Sequence, residues 1–292
     1  MSDRSAGGID PIVKRLREIG KESPELEEAA LAYEAVLPLL RDTDLKVAPV
    51  GLTSGQARGK MEEGLHLLHG IGLEIDLHKA RELMLLLAGA LDKCVKNPHV
   101  RNVTMALKKD ILDVDVLLSE TAAGQRESID AVAEGLGIDP NLLWTLSSFS
   151  LRPALQAVRI QLSPLVEGVA WNKGTCYVCG AGALLAELQG NNQVKHLRCG
   201  QCGADWHARR LQCTRCGNED HRTLGYLSPA KKEATMRAEV CEKCRVYLKV
   251  IVSFSPSPAE MLSVEDLATV QLDYMAQGRG YASAAMRSSC RV

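Results

Sequence analysis

Eight cysteines stand in four Cys-X-X-Cys pairs: Cys176/Cys179, Cys199/Cys202, Cys213/Cys216 and Cys241/Cys244. Two thiolates three residues apart can grip one metal ion from a tight turn. A tetrahedral site needs two such turns, so four pairs predict two four-cysteine sites. Four thiolates suit zinc and a single iron equally; zinc would be inert scaffolding, and iron would be redox-active in principle. The turn sequence Gly190-Asn191-Asn192 falls between the first two pairs, and Ser228-Pro229-Ala230-Lys231 between the last two. Each hairpin thus begins after one pair and ends at the next, as in a rubredoxin or zinc-ribbon knuckle. That favours sequential grouping, with Cys176, Cys179, Cys199 and Cys202 on one ion and Cys213, Cys216, Cys241 and Cys244 on the other. The spacing also permits a crossed pairing.

Gly180, Gly203 and Gly217 each follow the second cysteine of a pair, where a residue without Cβ lets backbone N–H groups point at the sulfurs. Arg245 holds that place in the fourth pair, which predicts a distorted fourth knuckle. Other candidate ligands are weaker. His66 and His69 are three apart on an expected helix, but no acidic partner follows in a recognisable pattern, so surface or core positions are expected. With eight cysteines available, His196, His207 and His221 are expected to be solvated or to stand behind the ligands. Trp206 reads as small core between knuckles rather than a platform for a base, and Arg209-Arg210 as a candidate partner-contact patch whose default reading is a solvated strand edge. Cys94 continues an apolar stripe as a core thiol, and Cys290 is a terminal bystander. There is no glycine-rich phosphate loop, nucleophile elbow or paired-carboxylate spacing, so nothing argues for an enzyme.

The elements before the cysteines read as helices. Asp10-Pro11 and Ser23-Pro24-Glu25 are N-terminus signals, the second for a helix running to about Arg41. Thr53 or Ser54 caps another. From Asp76 to Asn97, Ala80, Leu83, Met84, Leu87, Leu91 and Cys94 share one face, and Leu85 and Leu86 make the other apolar, which predicts a helix central to a bundle. After Pro98, helical period carries on through Val103, Leu107, Ile111, Val114 and Leu118. A short helix ends at Gly135 to Gly137, Asp139-Pro140 starts another, and a last one carries Leu155, Val158, Leu162 and Leu165, interrupted near Ser163-Pro164. Past Trp171 the period changes to strands: 184–188 with 194–198, 222–227 with 235–240, and 246–252. Ser263-Val264-Glu265-Asp266 caps a final helix ended by Gly278, and the remaining tail reads as disordered. The fold class expected is α+β: an all-α domain over 1–170, two tandem rubredoxin-like or zinc-ribbon modules over 171–256 (about 171–210 and 211–256), and a C-terminal helix and tail over 257–292.

The composition agrees. In 292 residues, 46% are hydrophobic but only 4% aromatic, a core of Leu, Ala, Val and Ile that suits packed helices. The net charge of -1 provides no global field for nucleic acid or an anionic membrane. Between Trp171 and Ser253, 13 Lys or Arg face 7 Asp or Glu, a formal +6 that two divalent ions on eight thiolates, at -4, reduce to +2. Residues 1–8 lack the apolar run of a signal peptide, and the longest apolar run, Leu83 to Leu91, is too short to span a bilayer. A soluble cytoplasmic protein is expected, with no membrane partner, and in that reducing compartment the paired cysteines read as ligands rather than disulfides.

The cysteine region and its flanks resemble the formate dehydrogenase accessory protein FdhE family. The residues that carry the resemblance are Leu165 to Trp171 leading into Cys176-Tyr-Val-Cys179-Gly180, Leu197-Arg198-Cys199-Gly-Gln-Cys202-Gly203 with Asp205-Trp206, and Cys213-Thr-Arg-Cys216-Gly217. They continue through Cys241-Glu-Lys-Cys244-Arg245-Val246-Tyr247-Leu248-Lys249, Asp266-Leu-Ala-Thr269 and Leu272-Asp273. Tyr177 departs from the pattern, which usually has proline there. The resemblance implies an all-α domain joined to rubredoxin-like modules, iron at the cysteine sites, and a cytoplasmic, non-enzymatic helper that contacts the formate dehydrogenase catalytic subunit. Two readings from other classes stand beside it. One is a zinc-ribbon protein binding nucleic acid through Arg209, Arg210, Arg215, Arg222, Lys231 and Lys232, which the near-neutral charge disfavours. The other is a rubredoxin-like electron carrier.

Overall fold

The computed structural model describes residues 10–230 and 234–285, so the expectations placed on residues 1–8, Lys231, Lys232 and Cys290 lie outside the described residues. The helices are α1 (Pro11–Glu22), α2 (Glu27–Asp42), α3 (Ser54–Glu62), α4 (Leu77–Cys94), α5 (Pro98–Lys108), α6 (Val114–Ala123), α7 (Arg126–Gly135), α8 (Pro140–Leu162), α9 (Leu262–Ala268) and α10 (Val270–Gln277). The strands are β1 (Leu185–Gln189), β2 (Val194–Arg198), β3 (Asp205–His207), β4 (Leu224–Leu227), β5 (Met236–Cys241), β6 (Val246–Ser253) and β7 (Ala282–Ser283). The fold is α+β. The chain divides into two compact units, Met1–Asp44 with Asp76–Pro153, and Leu45–Ile75 with Ala154–Val292.

The first unit is helical, and its helices begin where capping chemistry places them. Asp10 accepts from the Ile12 N–H at 2.9 Å with Pro11 at the first helical position. Asn97 does the same for His99 at 2.9 Å, and Asp113 accepts from Val116 at 3.1 Å. Apolar residues three and four apart then turn inward: Ile12, Leu16 and Ile19 of α1, Val36, Leu37 and Leu40 of α2, and Leu83, Met84 and Leu87 of α4 are all buried. Each such side chain contributes roughly 1.5–3 kcal/mol.

Three expectations need correction here. Ser23 makes no capping bond, so Pro24–Leu26 forms a 3-10 turn and α2 starts only at Glu27. The period through Ile111 is broken: Asp110 takes a left-handed φ of 52°, Ile111 is 58% exposed, and α6 starts afresh. Leu86, expected on a buried face, is exposed, so α4 has one buried face and lies at a surface. By contrast, the helix opened by Asp139-Pro140 and the last expected helix are one, α8, which runs on through Pro153.

The second unit holds one mixed sheet in the order β3-β2-β1-β6-β5-β4, with β7 also on β6. The two expected hairpins are present, β1/β2 and β4/β5, and β6 extends the second. They are joined edge to edge by a parallel pairing of β1 with β6, Ala186 opposite Val250. The two modules therefore share a single sheet. Residues aligned across the register share a face. On one face of the β4–β5–β6 half, Leu227, Ala238, Val240 and Tyr247 pack against Leu272, Ala276 and Tyr281. The expected single C-terminal helix is two, α9 and α10, separated at Thr269. Part of the expected disordered tail is ordered, as β7 pairs with the start of β6.

Candidate metal centres

Each cysteine pair sits on the same backbone turn. Gly180 N–H donates to the Cys176 carbonyl (2.9 Å), Gly203 to Cys199 (3.0 Å), Gly217 to Cys213 (3.0 Å) and Arg245 to Cys241 (2.9 Å). All four turning residues are left-handed, with φ of 71°, 73°, 69° and 56°. The fourth knuckle is therefore not distorted; Arg245 adopts the glycine conformation. A Cβ there costs about 1–2 kcal/mol. The Arg245 side chain offsets this: its guanidinium lies 4.0 Å from the Tyr281 ring centre, and it donates to Glu242 Oε2 at 2.5 Å and to the Arg279 carbonyl.

The turns bring the sulfurs together in sequence order. Cys176 and Cys202 are 3.4 Å apart, Cys179 and Cys199 3.6 Å, Cys213 and Cys244 3.6 Å, and Cys216 and Cys241 3.8 Å. Within each set of four, all sulfurs lie within 4.8 Å of one another. A tetrahedron with metal–sulfur bonds of about 2.3 Å has edges of roughly 3.8 Å, so both sets fit one ion each. The sets are those of sequential grouping, not of crossed pairing. Each cluster could hold a metal ion.

The two centres differ in their surroundings. Cys176, Cys199 and Cys202 are 0% exposed, packed among Ala57, Met61, Val158, Leu162 and Trp171. The segment between the knuckle and the helices is tied in by the backbone: Leu67 N–H donates to the Tyr177 carbonyl at 2.7 Å and Leu68 to Val178 at 3.1 Å. At Gly180 a Cβ would collide with the His66 ring. Tyr177 is fixed by a 2.9 Å hydrogen bond with Ser163 and by edge contact with Trp206 at 6.4 Å. At the second centre Cys241 is buried, Cys213 and Cys244 are half-buried and Cys216 is exposed.

Thiol chemistry follows burial. In the first centre burial pushes Cys176 and Cys202 well above the usual thiol range, while hydrogen bonds from the Cys176, Cys179 and Cys202 thiols hold Cys199 well below it. An incoming divalent ion must therefore displace protons from Cys176 and Cys202. In the second, burial raises Cys213 and Cys244. Burial also acts upward on Cys241, but the N–H groups of Cys244 and Lys243 and the Asn218 amide outweigh it and bring it to about 7.

The remaining candidates belong to neither sulfur set. His66 and His69 lie in the turn after α3, not on a helix, with ring centres 5.5 Å apart. His196 Nδ1 is held by Asp205 at 2.5 Å, inside a network in which buried Glu187 binds Arg198 and Gln189 bridges Glu187 to Asp205. His207 and His221 are exposed. Trp206 is core, as expected, its Nε1 donating to the Lys173 carbonyl at 2.9 Å. Arg209 pairs with Glu219 at 2.9 Å and Arg222 with Asp220 at 3.3 Å. Cys94 is half-buried, its thiol on the Ala90 carbonyl at 3.2 Å. Sequence reasoning missed the cluster of Lys195, Arg237 and Glu239 beside the second centre; no periodicity marks residues gathered from separate strands. No helix among the described residues is long and apolar enough to cross a membrane.

Comparison with known proteins returns one family at every level. Residues 211–288 match the family described as FdhE, C-terminal domain. A Protein FdhE of Escherichia coli O127:H6 is 26% identical over 280 residues, covering 92% of this chain and 83% of that protein. A Protein FdhE homolog of Edwardsiella ictaluri is 27% identical over 206 residues, 65% of each, so the alignment spans just under two thirds of that relative. The crystal structure of the FdhE protein from Pseudomonas aeruginosa shares the fold with a TM-score of 0.65 at 22% identity, over 94% of this chain and 93% of that one.

Proposed function

Because this chain is an FdhE-family protein, we propose that it is a non-enzymatic, cytoplasmic accessory factor in the maturation of formate dehydrogenase, one that binds the catalytic subunit of that enzyme. The observation that carries this is the pair of four-cysteine clusters in a chain whose likeness to FdhE proteins runs along most of its length. In this reading Cys176, Cys179, Cys199 and Cys202 ligate one ion and Cys213, Cys216, Cys241 and Cys244 the other, as iron or zinc. The ion closes two knuckles into one rigid unit, and the sheet built on them presents the docking surface. Purification from cells under anaerobic, reducing conditions tests the partner. The tagged protein is expected to bring down the formate dehydrogenase catalytic subunit, and its absence from the eluate would refute the reading. Elemental analysis of the same preparation is expected to return two metal equivalents per chain.

A second reading, a rubredoxin-like electron carrier, is favoured by one observation, the exposure of Cys216 at the second centre. It requires iron and a reversible thiolate-to-iron absorption band. Colourless, zinc-loaded protein removes it. Nucleic-acid binding has no such support, since Arg209 and Arg222 are already paired with carboxylates.

A further inference from the structure

The face of the β4–β5–β6 half opposite α9 and α10 opens onto a cavity of about 340 Å³. Its floor is Leu224 and Tyr226 of β4, Glu239 of β5 and Leu248 of β6, and one wall is Arg210 and Leu211 from the chain that leads into the third knuckle. The volume is at the lower end of what takes a ligand group. Two large apolar side chains stand at its mouth, Leu211 at 73% exposure and Tyr226 at 54%.

Charged groups gather around the cavity. Lys195, only 1% exposed, reaches Glu239 at 2.5 Å, and Arg237 reaches the same carboxylate at 3.1 Å. Arg210 adds a third cation at the exposed rim. Three cations face one carboxylate there, and the second centre, whose Cys213 and Cys241 also line the cavity, offsets the surplus with a formal -2 once it holds a divalent ion. The exposed Arg210 at the rim is the cation that an anionic group on an incoming ligand would meet.

The strand beside the cavity is also open. β4 is last in the sheet order, and among the described residues no strand lies beyond it. Strands at sheet edges are usually protected by lysine, proline or a bulge. Leu224-Gly225-Tyr226-Leu227 contains no charged residue and no proline, and Gly225 and Tyr226 are exposed. An unprotected edge offers main-chain hydrogen bonds to an extended chain, and a pocket alongside selects its side chains.

We propose that the β4 edge and this cavity form a docking groove for an extended polypeptide segment. The segment adds as a further strand, places an apolar side chain between Leu211 and Tyr226, and sets a carboxylate against Arg210 and Arg237. This rests on the maturation reading, in which the segment belongs to the client catalytic subunit. The test uses the full-length, metal-loaded protein and a purified formate dehydrogenase catalytic subunit. Arg210→Glu and Leu211→Glu are each expected to weaken binding by at least about tenfold while retaining the full metal content. The photo-crosslinker p-benzoylphenylalanine, incorporated at Tyr226, is expected to label an acidic and apolar segment of the subunit. Incorporated at Tyr274, more exposed than Tyr226 but on α10, it is expected to label none. Unchanged affinity in both variants, or crosslinks from position 274 alone, would overturn the groove and leave the maturation reading standing. A crosslinked segment that is basic would also overturn it. If the unaltered protein binds no subunit, the maturation reading fails and the groove falls with it.

Discussion

Arg245 shows how one residue can oppose a rule of the backbone and still be kept. The other three knuckles turn on glycine, and this one turns on a residue that pays for its left-handed φ by stacking on Tyr281 and bonding Glu242. The two contributions separate by substitution. Arg245→Gly removes the strain together with the contacts, each of them about 1 kcal/mol, so thermal stability of the metal-loaded protein is expected to change little. Arg245→Ala keeps the strain and loses the contacts. It is expected to be less stable than Arg245→Gly by about 1 kcal/mol, a difference readable as a shift in the urea midpoint. Equal stability of the two variants would show that the knuckle is not strained.

At the scale of elements, the sheet and α10 are joined by a buried polar contact rather than by apolar packing alone. The Tyr247 hydroxyl of β6 donates to Asp273 of α10 at 2.6 Å and accepts from Gln277 at 3.1 Å. Burial, and then the Asp273 carboxylate, push the Tyr247 phenol well above its ordinary range. A folded-state pKa raised above the unfolded value of 10 means that this contribution is complete below pH 10 and is lost as pH rises above it. Tyr247→Phe is expected to cost about 2 kcal/mol at pH 7. The gap to the unaltered protein should narrow in urea unfolding at pH 11, and a gap that stays constant would refute the linkage.

The same scale shows what the sequence made legible. Caps, turns and cysteine pairs act over a few residues, so Asp10-Pro11 and the Gly190-Asn191-Asn192 hairpin could be read directly, and the sequential sulfur sets are favoured over a crossed pairing that the spacing still allows. The parallel pairing of Ala186 with Val250, the insertion that brings Leu67 and His66 against the first knuckle, and the cavity under Tyr226 depend on partners far along the chain. No local pattern encodes them. Ile111 misled for a related reason: helical spacing of apolar residues persists across a break that the backbone of Asp110 makes.

For the whole molecule, the unequal cover of the two centres predicts unequal metal retention. A chelator is expected to remove metal in two phases, the second centre roughly tenfold or more faster than the buried first one. Chromophoric chelator kinetics on Cys216→Ser should lose the fast phase and leave the slow one. Cys199→Ser, which breaks the buried set, should instead unfold the strands around it, because a small metal-bound unit has too little core without its ion. Full removal of metal should leave the helices of the first unit intact, since no Cys-X-X-Cys pair lies within it. A single release phase, or loss of all helical signal on chelation, would contradict this.

The parallel contact between β1 and β6 also sets an order of events during synthesis. β1 emerges from the ribosome with one side paired to β2 and the other waiting for a strand whose register partner, Val250, lies 64 positions after Ala186. At roughly 5–20 residues per second that interval lasts several seconds, during which the first hairpin carries an open edge. The nascent chain is then at its most vulnerable to pairing with a neighbour. Early capture of metal by Cys176, Cys179, Cys199 and Cys202, all translated before β6, would hold that hairpin in shape until its missing strand arrives.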